Sequence, residues 1–211
     1  MDPAKIGSFF PSHGEDRIVL TPQEVPSLLA AGLKAIEDRD FDEHRGFSIT
    51  GILRALFVNL RAGSARQGGS TLTQQLVKSY FLTNERTLQR KLRELAMAII
   101  LELRFSKQDL LTAYVNEIFL GQNGARAIHG FGLGAQFYFN KPINELNVAE
   151  IATLISIIRG PSYYNPFRHP ERALSRRNRI LDTFYSDGLI GAVDHGQAKA
   201  QPIGVVSAAG R

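Results

Sequence analysis

The sequence predicts a mainly α-helical fold, and three observations carry that prediction. Apolar residues recur at three- and four-residue spacing along most of the chain from Leu28 to Leu189, the signature of helices that bury one face. Chemical start and stop signals bracket these runs: Ser106 stands before "KQDLLTAYVNEIFLG", and Gly160-Pro161 follow "NELNVAEIATLISIIR". No run of alternating strands, no repeat and no low-complexity tract interrupts the pattern. At 211 residues, 44% hydrophobic and 21% charged, the chain suits one large globular domain with small extensions and is too apolar to be disordered.

Residues 1–26 are rich in Pro, Gly and Ser and read as an irregular lead-in. A first helix carries Leu29, Leu33 and Ile36 and runs out between Glu37 and Phe41. That puts the acidic segment "EDRDFDE" at a helix C-terminus, where the macrodipole disfavours carboxylates. Residues 47–63, "FSITGILRALFVNLRAG", hold Arg54 and Arg61 as their only charges. They read either as a core helix or as an interfacial helix whose apolar face dips into lipid. From Asn84 to Phe105 the stripe Leu88, Leu92, Leu95, Ile99 and Leu103 is expected to face inward, making this the central buried helix. A helix capped by Ser106 and closed by Gly121 follows, then "GQNGARAIHGFGLGAQFYF" as a glycine-rich loop and an aromatic helix. After the helix ended by Gly160-Pro161 comes a long helix over residues 172–185. Its arginine-rich face reads as solvated in preference to headgroup-bound. Residues 191–211 read as an extension or linker.

Cysteine is absent, which suits an extracytoplasmic domain without disulfides and equally a cytosolic one. The first 26 residues hold no basic start followed by an apolar segment. The longest apolar run, Leu95–Leu101, falls short of the ~18–20 residues a membrane span needs. The sequence as it stands reads as soluble or peripheral, with any anchor lying outside it. The net charge of +5 is unevenly placed: residues 78–93 carry five basic side chains against one acidic, and residues 37–43 carry five acidic against one basic. Such segregation invites an anionic partner beside a carboxylate site, although either run alone is more often a solvated helix face.

The segment "RQGGSTLTQQLVKSYF" (Arg66–Phe81) concentrates the chemistry. With Ser70 or Thr71 as N-cap, Thr71, Gln75 and Lys78 form one polar stripe, while Leu72, Leu76 and Val77 anchor the helix to the core. Glycines before it let backbone approach a ligand closely, and free N–H groups at the helix start favour an anion or a sugar oxygen. A flexible loop and a solvent-facing helix side is the bland alternative. On the next helix Glu94 shares a stripe with Arg90, a salt bridge worth only ~0.3–0.5 kcal/mol if exposed. A carboxylate ringed by Arg90, Lys91 and Arg93, with Glu37 as a second, also suits glycosyl transfer: one carboxylate deprotonates a hydroxyl while cations hold a departing phosphate.

Five segments then stand in order: "EDRDFDEHRG" (Glu37–Gly46), "GGSTLTQQLVKS" (Gly68–Ser79), "RKLRE" (Arg90–Glu94), "KQDLLTAYVNEIFLG" (Lys107–Gly121) and "RGPSYYNP" (Arg159–Pro166). Together they resemble the ordered motifs of glycosyltransferase family 51, the peptidoglycan polymerase domain of class A penicillin-binding proteins and monofunctional transglycosylases. The resemblance covers roughly residues 20 to 189. The wording "FLGQNGARAIHGFGLGAQFYF" and the lead-in "SHGEDRIVL" are most similar to the Gram-negative 1b type. Ser79 departs from the asparagine usual in the second motif, which touches a peripheral contact and leaves the chemistry alone.

The resemblance implies a lysozyme-like, mainly α domain over residues 27–190, with a larger lobe and a smaller membrane-associated jaw at about residues 46–66. It implies lipid II and the nascent glycan strand as substrates, at the periplasmic face of the bacterial inner membrane. Glu37 matches the catalytic base, and Asp38, Phe41 and His44 match positions that shape or support it. Glu94 matches the second essential carboxylate, acting directly or through a divalent cation (Mg or Mn). Lys78, Arg86 and Arg93 match basic positions that hold the pyrophosphate, Arg90 and Lys91 belong to the same motif, and Ser70, Thr71 and Gln75 match the donor-site lining. Tyr114, Asn116 and Arg159 are expected to be structural, and Tyr163, Tyr164 and Asn165 to serve packing and turns.

The 1b likeness further implies a transpeptidase domain and an N-terminal membrane helix in the full-length protein, and phosphoglycolipid inhibitors of the moenomycin type. Two rivals remain: a lytic transglycosylase or lysozyme-like enzyme, which the basic cluster disfavours, and a non-catalytic module for anionic lipid. No nucleic-acid motif is present, so nucleic acid is not an expected partner.

Overall fold

The computed structural model describes residues 17–63, 68–81, 87–124 and 126–206. In chain order the elements are α1 (Ser27–Glu37), α2 (Ile49–Ala62), α3 (Leu72–Phe81), α4 (Leu88–Arg104), α5 (Lys107–Glu117), β1 (Phe119–Asn123), β2 (Arg126–His129), α6 (Phe131–Phe139), a 3-10 turn (Ile143–Glu145), α7 (Val148–Ile158), α8 (Pro170–Ser186) and α9 (Ala192–Ala200). The fold is mainly α, as the periodicity predicts.

The core is built around α7. Its start is fixed by a capping box between Asn147 and Glu150, and Ala149 and residues 151–157 are all buried. The two polar residues in that stretch bond back to their own helix, Thr153 to the Ala149 carbonyl and Ser156 to that of Thr153, both at 2.7 Å. Helices α1, α6, α8 and α9 and strand β1 pack round it. The approach of α1 depends on Gly32: a Cβ there would stand 2.5 Å from Phe184 of α8 and 3.0 Å from Ile155 of α7.

Three expectations need correction. The glycine-rich loop contains a hairpin, with Gln122 opposite Ala127 and Asn123 opposite Arg126, turning at Gly124 with φ of 59°. Gly124 supplies the left-handed conformation that a two-residue hairpin turn needs, but the strands are too short to display alternation. Helix α5 therefore ends at Glu117 and does not run on to Gly121. Second, α4 is not the central buried helix. Leu88, Leu92 and Leu103, expected to face inward, are 86%, 66% and 65% exposed, and its buried residues are Glu94 and Ala98. Helix α4 packs chiefly on α3 and α5, so the apolar stripe on its far side is left open. Third, the arginine-rich face of α8 is not simply solvated. Arg177 is fully buried and donates to the carbonyls of Gln201, Pro202 and Lys199 at 2.8, 2.9 and 3.3 Å, a cation at the negative end of α9. It ties α9 to the domain, and the Val206 N–H then donates to the Tyr138 carbonyl at 2.9 Å.

Of the two readings of residues 47–63, the core helix fails. Ile49, Ile52, Leu53, Leu56, Phe57 and Leu60 of α2 are all exposed. The helix is moored at its N-terminus. The Ser48 hydroxyl accepts from the Gly51 N–H at 2.8 Å and donates to Asp40 at 2.9 Å, and Thr50 and Arg54 reach the same carboxylate. These bonds hold the Asp40 carboxyl below its ordinary range.

Candidate active site

The end of α1, the starts of α2, α3 and α4, and the wall made by Ile158, Arg159 and Arg176 enclose a cleft of about 450 Å³. Glu37, the last residue of α1, lines it. Its Oε2 accepts from Gln75 Nε2 of α3 at 3.2 Å, and Gln75 Oε1 accepts from the Tyr114 hydroxyl at 3.1 Å. Tyr114 is almost fully buried on α5. Burial, followed by the negative charges of Glu37 and Asp38, holds its phenol well above the usual range, so it keeps its proton.

Asp38 turns away from α1 toward the start of α3. Its carboxylate accepts the Leu72 N–H at 2.9 Å and lies 2.9 Å from His44 Nε2. Because His44 Nδ1 accepts from the Gly46 N–H at 3.2 Å, Nε2 is the nitrogen that donates to Asp38. The charge that the α1 dipole disfavours is thus compensated by the N-terminus of α3. Thr71 and Gln74 complete that terminus: Thr71 Oγ1 accepts the Gln74 N–H at 3.2 Å and Gln74 Oε1 accepts the Thr71 N–H at 3.4 Å. Thr71 Oγ1 also donates to the Gly46 carbonyl at 3.0 Å, joining α3 to the root of α2. Phe41 is core, packed edge-on to His44 with the Lys107 ammonium 4.6 Å from its ring centre.

Across the cleft, Glu94 is only 2% exposed and carries a cation on each oxygen, Arg90 at 2.7 Å and Lys91 in a shorter contact. Lys91 Nζ also donates to Ser70 Oγ at 2.9 Å and to Gln74 Oε1 at 3.4 Å, so one ammonium joins α4 to the glycine-rich approach of α3. The pair that would be weak on a surface is here built round a buried carboxylate, with Arg90 largely covered and Lys91 half-exposed.

The structure therefore brings Glu37, Asp38, Ser70, Thr71, Gln75, Lys78, Arg90, Lys91 and Glu94 to one cleft. It does not bring Phe41, His44 or Arg93 to the cleft surface: the first two support it from behind, and Arg93 is exposed outside the lining. Arg86 lies outside the described residues. Sequence reasoning missed Gln74, Arg176 and the cleft position of Arg159. The available signal for Arg176 was its four-residue spacing from Arg172 beside a tyrosine pair: the two guanidinium groups lie 4.5 and 5.1 Å from the ring centres of Tyr163 and Tyr164. Arg176 also donates to the Ser156 carbonyl at 3.0 Å. Burial lowers its pKa, and the Glu37 charge opposes that.

The family model for transglycosylases matches residues 3–185. The chain belongs to the transglycosylase family. Over 205 residues it is 46% identical to penicillin-binding protein 1B of Vibrio cholerae, covering 97% of this chain and 26% of that one. Over 201 residues it is 47% identical to the 1B protein of Haemophilus influenzae, covering 95% and 26%. The 1B protein of Escherichia coli is 42% identical over 205 residues, covering 97% and 24%. A crystal structure of penicillin-binding protein 1A from Haemophilus influenzae, at 21% identity, shares the fold with a TM-score of 0.53 over 92% of this chain and 19% of that one. The transglycosylase domain thus spans about a quarter of the length of the curated relatives it matches. Among its described residues no helix is long and apolar enough to cross a membrane.

Proposed function

We propose that this transglycosylase domain polymerises lipid II into β-1,4-linked glycan, with Glu37 as base and the Glu94 side of the cleft receiving the pyrophosphate. One observation carries the reading: the Glu37 carboxylate and the cations Lys78, Arg90 and Lys91 line the same cleft. Glu37 takes the proton of the acceptor GlcNAc 4-hydroxyl as that oxygen attacks C1 of the donor MurNAc. The bond from C1 to the pyrophosphate oxygen breaks with inversion, and its electron pair leaves with undecaprenyl pyrophosphate. Arg90, Lys91 and Lys78 stabilise the charge growing on that oxygen. A glycan-cleaving enzyme needs no such cations, since no phosphate departs. The exposed apolar face of α2 supports contact with the inner-membrane surface, where the substrate's lipid tail is held.

A protein-held divalent cation does not fit these residues. Both oxygens of Glu94 already face cations, and among the described residues no three metal-ligating side chains gather.

The test is labelled lipid II in detergent with a divalent cation, given to the domain and to Glu37→Gln, with circular dichroism on both. Glycan strands from the parent and none from a folded Glu37→Gln support the reading. Strands from both remove Glu37 as base and move attention to Glu94.

A further inference from the structure

A surplus of arginine marks the wall of the cleft beside Glu37. After α7 the chain turns tightly, the Tyr164 N–H donating to the Gly160 carbonyl at 2.8 Å, and Tyr163 and Tyr164 fold back toward α8. Their rings meet edge to face, with centroids 4.9 Å apart. Arg172 lies over the first ring at 4.5 Å, and Arg176, one helical turn on, lies over the second at 5.1 Å. Stacking holds each guanidinium plane and leaves its edge, where the N–H groups are, open to a partner. Arg176 spends Nε on the Ser156 carbonyl at 3.0 Å. Among the described residues no acceptor meets its terminal nitrogens or any nitrogen of Arg172, and no carboxylate stands at ion-pair distance from either. Arg159 and Arg179 are close enough to Arg176 to repel it. Packing gains nothing from such crowding of like charge, whereas a site for an oxyanion uses it.

We propose that Arg172 and Arg176, held on Tyr163 and Tyr164, form an oxyanion subsite for the acceptor lipid II. This rests on the reading of Glu37 as base. Arg176 lines the cleft together with Glu37, whereas Arg90 and Lys91 stand with Glu94 on the other side. An acceptor that presents its 4-hydroxyl to Glu37 leaves the rest of its length to this wall. That length carries two kinds of oxyanion, the carboxylates of the stem peptide and the acceptor's own pyrophosphate. Either accepts paired N–H bonds from a guanidinium edge. Arg172 lies beyond the cleft lining and extends the wall by one turn of α8.

The experiment is elongation of a saturating, preformed lipid-linked glycan with lipid II varied as acceptor. It compares the parent, Arg172→Gln, Arg172→Lys and Tyr163→Leu, with Glu37→Gln as control. Arg172 is exposed, so its variants should keep the parent's circular dichroism and thermal melt. Arg172→Gln is expected to raise KM for lipid II about fivefold with kcat within about twofold, the loss of one well-placed charge contact. Arg172→Lys should recover most of that rise, because the charge returns. Tyr163→Leu keeps both charges and removes the surface under Arg172, and should raise KM by an intermediate amount. Lipid II with amidated stem carboxylates tells the two sources apart. A KM that no longer responds to Arg172→Gln assigns the subsite to the peptide, and the same rise assigns it to the pyrophosphate. An unmoved KM in Arg172→Gln with native lipid II, or no recovery in Arg172→Lys, overturns the proposal. Polymer from Glu37→Gln removes the base reading and the acceptor assignment with it. Polymer lost in Glu37→Gln beside an unmoved KM in Arg172→Gln removes the proposal alone.

Discussion

Replacing Asp38 by alanine separates what holds the cleft together from what acts in it. Two donors lose their acceptor at once: the Leu72 N–H at the start of α3 and His44 Nε2, whose side chain is 6% exposed. A hydrogen bond to a charged acceptor contributes about 1.5–3 kcal/mol, and a buried donor left unsatisfied costs about 1–3 kcal/mol. Allowing for partial relaxation, Asp38→Ala should lose roughly 3–5 kcal/mol, a large share of the ~5–15 kcal/mol a domain has. Its neighbour behaves differently. Glu37→Gln keeps an oxygen for the Gln75 amide, so its stability should stay within about 1 kcal/mol of the parent. Urea denaturation followed by circular dichroism reads both, with an unchanged m-value confirming that the same surface is exposed on unfolding. An Asp38→Ala midpoint matching that of the parent would refute the reasoning, because α3 would then be capped by something other than Asp38.

Gly46→Ala should be at least as damaging, roughly 3 kcal/mol or more by the same melt, since φ is +94° and the new Cβ would stand 2.8 Å from the Ile99 nitrogen, backbone that cannot swing aside. Phe57→Asp, on the exposed face of α2, should leave the melt within about 0.5 kcal/mol while weakening flotation with phospholipid vesicles severalfold; unchanged flotation would count against a membrane-facing jaw. Asp40 has a folded pKa held below its ordinary 3.8 by the Thr50 and Ser48 hydroxyls. Its contribution is therefore present above that ordinary value and lost as pH falls through the folded one. Protection from hydrogen exchange at the first turn of α2, taken relative to the intrinsic exchange rate at each pH, should fall on acidification below 3.8, and Asp40→Asn should flatten that dependence.

The parts of the site legible in the sequence were those where spacing alone fixes a face. Thr71, Gln75 and Lys78 were predicted as one stripe, and all three line the cleft, with Leu72, Leu76 and Val77 buried behind them. Periodicity failed at α4 for a physical reason: a leucine stripe states that one face is apolar and not what covers it. Leu92 and Leu103 therefore read as core although their face stands open. The role of Asp38 was hidden because its partner, the Leu72 amide, is backbone and 34 residues away. Arg177 carried no sequence sign of burial, since what satisfies it is a set of carbonyls from residues 199, 201 and 202.

The double engagement of Glu94 changes how the cleft looks to an arriving anion. Arg90 and Lys91 are not bare charges but the partners of a buried carboxylate, although Lys91 stays half-exposed. On the proposed function, a pyrophosphate entering there would exchange with a resident carboxylate, so its arrival would be a swap of counter-ions and not the capture of a free anion by free cations. Less of the positive field reaches solution than the count of basic side chains implies, and fewer small ions are released on binding. Added salt should therefore weaken binding at this site with a shallower slope than an open patch of the same lysines and arginines would show.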